Sequence, residues 1–321
     1  MSMRAFLLAL LLLVDARAAV AAEPATVIVG TYVNQILDLS FRERRYVIDF
    51  WVWFRWLPEG ELADYKPLES FEIINGRVDA KTSIVEKRIG NASYASARVT
   101  ASISQAWELD AFPLDRHRLR IHLEDSQHAG NEMVFAVDLA NSRLGKEIEL
   151  SGWTISRFDP QVTTTLYDSN FGDISLPYKD YSKYSRFTFA MDLLRENNDA
   201  AMKLLGGMFF ATLVAFAAFL IKPTDMNTRF GVGVGALFAV ATSAVIAASA
   251  VPDSSALTTA DTMHMISMGF IFASLAQSAI CMKWVETQHY ARAKRLDRWS
   301  AALFPLLFVL ICCTVVMRAT R

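Results

Sequence analysis

The chain has 321 residues, enough for about two domains, with 53% hydrophobic residues and a formal net charge of −1. Its 32 basic and 33 acidic residues form no basic stripe, which argues against a nucleic-acid partner. The apolar excess lies after residue 200, whereas 23–198 has the charged and aromatic content of a water-exposed domain.

The chain opens with Arg4, an apolar run over 6–14 and the small residues Ala19, Val20, Ala21 and Ala22 ahead of Glu23. That order predicts a secretion signal over 1–22; as a membrane anchor, the apolar run is too short to span comfortably. Residues 23–198 are then expected outside the cell or in the periplasm. Within them, 26–39 and 45–56 show alternation, as in Val27 and Val29 or Tyr46, Ile48 and Phe50, which predicts strands. Strand-like runs continue over 82–89, 94–107, 117–124, 133–138, 153–158 and 187–194, punctuated by Asn75-Gly76, Gly90-Asn91 and Gly130-Asn131. Several short strands with no helical period predict an antiparallel sandwich or barrel, with room for a short helix over 60–69.

All three cysteines, Cys281, Cys312 and Cys313, fall in apolar segments, so no disulfide framework is expected in the exported part. His117, His122 and His128 have no carboxylates or cysteines at metal-ligand spacing, and no glycine-rich phosphate loop follows a strand. With no nucleophile and base standing out either, the expectation is a protein that is not an enzyme and uses no cofactor.

From 199 to 321 the chain reads as all-α and membrane-embedded. Four apolar segments, about 204–221, 230–251, 263–285 and 299–317, are each long enough to cross a bilayer as a helix. Lys222, Arg229, Lys283, Arg292, Lys294, Arg295 and Arg298 gather around the first and third connections, while the second, 252–261, carries only Asp253 and Asp261. The excess of positive charge predicts that the first and third connections face the cytoplasm, in a plasma or inner membrane. In the second segment, helical steps of three and four give one stripe: Gly231, Gly235, Phe238, Thr242, Val245 and Ser249. Small and polar residues in a span serve either close helix packing or a water-filled path, and this segment alone fits both.

Several motifs occur in a telling order. Trp107-Glu-Leu-Asp-Ala-Phe-Pro-Leu-Asp-Arg-His-Arg-Leu carries Phe112, Pro113 and Asp115; Asp49-Phe-Trp-Val-Trp-Phe-Arg-Trp-Leu precedes it, as does Tyr65-Lys-Pro with Asn75. Ser151-Gly-Trp153 follows, then Arg195 before the first span, with Arg229 and Pro252 bracketing the second. In order and spacing the chain resembles the pentameric ligand-gated, or Cys-loop, receptor channels along essentially its whole exported and membrane length. Gln105 and Leu119 stand where the animal receptors have their two cysteines, so the loop is unbridged, as in bacterial members. The first span also lacks the family's usual proline and has Gly206-Gly207 near its start.

The resemblance implies an all-β immunoglobulin-like sandwich followed by an all-α four-helix membrane domain, assembled as a homopentamer in the lipid bilayer. The Gly231 to Ser249 stripe would line the pore for permeant ions. Phe238, or else Val245, would form a hydrophobic gate, unless Phe238 packs against the first or third span. Asp225, Asn227 and Thr228 would lie at the inner mouth, where Asp225 favours cations. Phe112, Pro113 and Asp115 would face the 252–261 connection, with 41–44 as a second coupling loop and Asp115 paired with Arg195. A small cationic agonist would bind between neighbouring sandwiches. Trp51 and Trp53 would come from one side and the Tyr167 to Tyr184 hairpin, with Tyr178, Tyr181 and Tyr184, from the other, and Glu72 would supply a counter-charge. Protons are the other ligand considered, sensed by His117, His122 or His264. The competing expectation is a non-conducting membrane-anchored sensor or scaffold with a ligand-binding β domain.

Overall fold

The computed structural model describes residues 23–172, 182–196, 199–251 and 256–320. The expected signal over 1–22, the aromatics Tyr178 and Tyr181, and Pro252 and Asp253 lie outside the described residues.

Residues 25–195 form two β-sheets. Their strands are β1 (Ala25–Ser40), β2 (Arg45–Trp56), β3 (Phe71–Ile73), β4 (Gly76–Ile89) and β5 (Ala92–Ser104). There follow β6 (Arg116–Asp125), β7 (Met133–Val137), β8 (Arg143–Leu144), β9 (Trp153–Tyr167) and β10 (Ser182–Arg195). The first sheet has the order β4-β5-β2-β1-β7, with the short β8 also on β1, and the second has the order β3-β6-β10-β9. Pairing is antiparallel except that β7 and β8 lie parallel to β1.

Alternation explains the two-layer arrangement. Tyr46, Ile48, Phe50, Val52 and Phe54 of β2 are fully buried, as are Leu119, Ile121 and Leu123 of β6 and Phe187, Phe189 and Met191 of β10. They share one core, with Phe50 and Phe189 edge to face at 5.1 Å. Each large apolar side chain that leaves water as the sheets meet stabilises the fold by roughly 1.5–3 kcal/mol. The 60–69 stretch holds a 3-10 turn (Gly60–Leu62) and the start of one helical turn, α1 (Pro67–Ser70). β9 runs well beyond its expected end at 158, carried by the β-branched Val162 to Thr165. It accommodates Pro160 because it is the edge strand of its sheet.

Four long helices follow: α2 (Asp199–Phe216, continued by the 3-10 turn Ala217–Leu220), α3 (Met226–Ser249), α4 (Thr259–Glu286) and α5 (Tyr290–Ala319). All four are long and apolar enough to cross a membrane. A second hydrophobic cluster lies among them, built around Met208, Ala215, Phe216, Val240, Ile271 and Phe308. α3 packs on α2 and α4, and α5 packs on α4. The helices begin earlier than the apolar runs do. Asp199 starts α2, and Thr258 with Asp261 forms a reciprocal capping box at the start of α4.

Candidate functional site

The two regions meet at the loop before β6. Trp107 leads into a segment whose Leu109 and Phe112 are buried in the membrane-helix cluster. The carbonyl of Asp110 accepts from the Thr259 N–H at 2.9 Å, and that of Phe112 from the Ala260 N–H at 3.0 Å. The first N–H groups of a helix have no partner within it. Here two of those of α4 are satisfied by the β region's main chain. The expected contact between this loop and the second connection therefore falls at the connection's end, in the first turn of α4.

Behind that loop, Asp115 is almost fully buried and receives Arg195 Nε at 2.8 Å on Oδ1 and His117 Nε2 on Oδ2. Burial alone would raise its pKa; the hydrogen bonds from His117 and Arg195 and the guanidinium charge outweigh that and hold it below the usual carboxylate range. The Arg195 guanidinium also lies 4.4 Å from the Trp153 ring and 5.5 Å from that of Phe112. Phe41, from the turn between β1 and β2, sits 4.9 Å from Trp107, 5.0 Å from His117 and 6.0 Å from Trp153. One carboxylate inside an aromatic box thus joins the loop, β6, β10 and the β1–β2 turn. Pro113 is buried beside it, and its peptide with Phe112 is cis.

In α3 the six stripe residues Gly231, Gly235, Phe238, Thr242, Val245 and Ser249 are all exposed, Phe238 and Val245 to 70%. At 100° per residue they fall within a sector of about 80°. Arg229, Gly233, Ala236, Val240 and Ala247 occupy the opposite side and are buried. A Cβ at Gly231 or Gly235 would meet nothing within 4 Å, whereas one at Gly233 would collide with the Leu275 side chain of α4. Phe238 therefore does not pack into the first or third span within this chain. At the start of α3, Asp225, Asn227 and Thr228 are exposed, and Asp225 caps the helix by accepting from Thr228 N at 3.3 Å and Thr228 Oγ1 at 2.8 Å.

Arg229 does not share that exposure. Its guanidinium is fully buried and meets Asp297 of α5 in a two-pronged pair, Nη1 to Oδ1 at 3.0 Å and Nη2 to Oδ2 at 2.6 Å. Nε donates to the Ile221 carbonyl at 3.2 Å, and Gln277 Nε2 of α4 donates to Asp297 Oδ1 at 2.9 Å. The cluster joins the end of the first membrane segment to the other three helices. The sequence marks Arg229 only as bracketing the second span and does not single out Asp297, because the two lie 68 residues apart with no motif linking them.

Among the described residues, Trp51 and Trp53 lie on one sheet and Glu72 and Tyr184 on the other. Trp51 and Trp53 lie on the outer face of the first sheet, opposite the core-facing Phe50 and Val52. Trp51 stands in register between Tyr32 and Arg98. The Trp53 indole packs on Gly30, where a Cβ would collide with the ring, and donates to Asp138 Oδ2 at 3.1 Å. Along β1 a groove of about 730 Å³, lined by Tyr32, Arg98, Arg143 and Lys146 among others, opens beside these strands.

Glu72 lies on the second sheet, exposed and in register with Glu124. Partial burial, with the charges of Glu124 and Asp125, raises its pKa. Glu124 is buried and held by Arg186 Nε at 2.6 Å and the Tyr167 hydroxyl at 2.9 Å. Tyr167 in turn stacks edge to face with Tyr184 at 5.8 Å. Glu124, Tyr167 and Arg186 thus accompany Glu72; Tyr167 is expected near the agonist, whereas Glu124 and Arg186 do not stand out in the sequence. Alternation along β6 and β10 marks which side chains point outward, but only cross-strand register brings them together.

The histidines considered as proton sensors all have partners. His117 bonds Asp115, His122 Nδ1 bonds Thr188 Oγ1 at 2.8 Å, and His264 bonds the Ala260 carbonyl at 2.7 Å and Ser243 Oγ at 3.0 Å. Burial, with the nearby charges of Arg186 and Arg120, pushes His122 down to about 4. Among the described residues no group of three or more His, Cys, Asp or Glu side chains is gathered to hold a metal ion. No family model matches the chain, and no curated protein matches it.

Proposed function

We propose that this chain is one subunit of a homopentameric ligand-gated ion channel. Five copies of α3 surround the pore, and each β region, an immunoglobulin-like sandwich, senses the ligand outside the cell or in the periplasm. The observation that carries the reading is the two-sided character of α3. One side is packed against its own subunit, and the other presents the small, polar and bulky residues Gly231 to Ser249 uncovered. A rotational ring turns such a side toward a common axis, and rings of Phe238 and Val245 side chains would then close the path by dewetting.

The junction supports the same reading. A ligand sensor must pull on membrane helices, and the loop around Phe112 is bonded to α4 while Arg195 leads from β10 toward α2. Positive charge around the first and third connections favours the outer side for the β region. Agonist binds between neighbouring β regions, with Trp51 and Trp53 on one subunit facing Glu72, Tyr167 and Tyr184 of the next. A small cationic amine fits that acidic and aromatic surface, and protons acting on Glu72 are the second ligand to try. The exposed Asp225 at the start of α3 favours cations.

The test is current across bilayers holding purified pentamers of the wild type and of Phe238→Ser, over a pH series and with a panel of small amines. Gated single-channel steps are expected from the wild type and a raised resting conductance from Phe238→Ser. Silence from verified pentamers of both would overturn the channel reading in favour of a non-conducting sensor. Reversal potentials that follow chloride would overturn the cation preference.

A further inference from the structure

We propose that Asp297, a residue that does not line the pore, fixes ion preference at the inner mouth by cancelling the charge of Arg229. The inference rests on the channel reading and deepens it. Arg229 lies one turn into α3, beside exposed Asn227 and Thr228, at the end of the helix where a ring of five charges would discriminate between ions. A guanidinium there, free to reach the pore, would repel cations from the mouth. Instead it is turned to the packed side of α3 and is fully buried.

What holds it is a built polar site. Asp297 is 5% exposed and takes both prongs of the guanidinium. Gln277 Nε2 at 2.9 Å and Cys281 Sγ at 3.4 Å fix the carboxylate from α4, and the Ile221 carbonyl fixes the guanidinium from the end of the first segment. The pair is neutral as a unit, so it contributes little field at the mouth. The charge left exposed at the start of α3 is then Asp225; Lys222 is exposed as well, but in the connection before the helix. Breaking such a pair leaves a buried unpaired charge, which is strongly unfavourable unless the group reaches water. In Asp297→Asn the guanidinium is expected to turn toward the water at the mouth, beside exposed Asn227 and Thr228.

The test is the reversal potential in a sodium chloride gradient, measured on pentamers of the wild type, Asp297→Asn and the double variant Arg229→Gln with Asp297→Asn. In Asp297→Asn the cation-to-anion permeability ratio is expected to fall on the order of tenfold, the scale of one unit charge brought to a partly screened site. The double variant, which has neither charge, is expected to return to the wild-type ratio. An unchanged ratio in folded Asp297→Asn pentamers, or a shift that persists in the double variant, overturns the proposal. Should Asp297→Asn alone fail to assemble, mixed pentamers with a single tagged Asp297→Asn subunit carry the same comparison. A smaller fall is expected there, and the wild-type ratio would overturn it. A role in folding alone would lower yield and melting temperature without moving the reversal potential. Failure of the channel reading is seen separately, as absence of wild-type current.

Discussion

Asp115 shows how one side chain can tie a junction together. Its two oxygens are used by residues from β6 and β10, and its environment is almost dry. Removing Arg195 leaves the buried Asp115 with His117 alone, and removing Asp115 leaves Arg195 without its carboxylate, a loss on the order of 3 kcal/mol. A double-mutant cycle with Asp115→Asn and Arg195→Gln, followed by thermal or denaturant unfolding, is expected to show clear coupling, and additive losses would contradict the pairing. The pair is legible in the sequence because both residues sit in recognisable motifs. The part played by His117 is not, since a histidine two residues along a strand normally shares a face with its neighbour and carries no mark of its partner. His122 gives a second, separable effect. Its folded pKa, about 4, lies below the ordinary value of about 6.5, so the unfolded chain takes up the proton first. The stability this contributes is complete above about pH 6.5 and is lost as pH falls toward about 4. Asp115, held below its usual range, gives up its own contribution only at lower pH. The drop in melting temperature between about pH 7.5 and about pH 4.5 is therefore expected to be smaller in His122→Gln than in the wild type.

At the scale of elements, α3 offers a test in three glycines that sequence alone cannot tell apart. Gly231 and Gly235 are open, and Gly233 faces Leu275 closely. Alanine at 231 or 235 is expected to leave the isolated subunit's fold intact or to stabilise the helix by about 0.5–1 kcal/mol. Alanine at 233 must displace Leu275 or part α3 from α4, lowering the melting temperature. Equal effects at all three positions would mean that the packed and open sides of α3 are wrongly assigned. The stripe itself is legible because a period of 3.6 residues is written in the order of the chain. Which side of the helix is packed is not, since Gly, Ala and Val occur on both. The same limit hides Arg229 with Asp297. Helical periodicity places residues on one helix but says nothing about which residue faces them from another.

For the whole molecule, two sheets followed by four apolar helices are legible because alternation, turn residues and long apolar runs are local signals. Short elements that depend on partners, such as β3 and β8, carry too few residues to announce themselves. Nor does the sequence reveal that Trp51 and Trp53 lie on a different sheet from Glu72, since that depends on strand order. The contact of Asp110 and Phe112 with α4 has a further consequence. Beside the packing of Leu109 and Phe112 and the bond from Thr259 Oγ1 to the Asp110 carbonyl, it has two main-chain hydrogen bonds that exchanging side chains one at a time leaves in place. An alanine scan of this loop would mark Phe112 and Asp115 and pass over the bonds between the loop and the helix. Replacing the peptide N–H of Thr259 or Ala260 by an ester oxygen deletes that donor and leaves every side chain in place, while also weakening the preceding carbonyl as an acceptor. Each exchange is expected to cost about 1 kcal/mol of stability and to weaken transmission between ligand and helix. Maps of communication drawn only from side-chain replacements would therefore show the packed side chains at the junction and miss the main-chain bonds beside them.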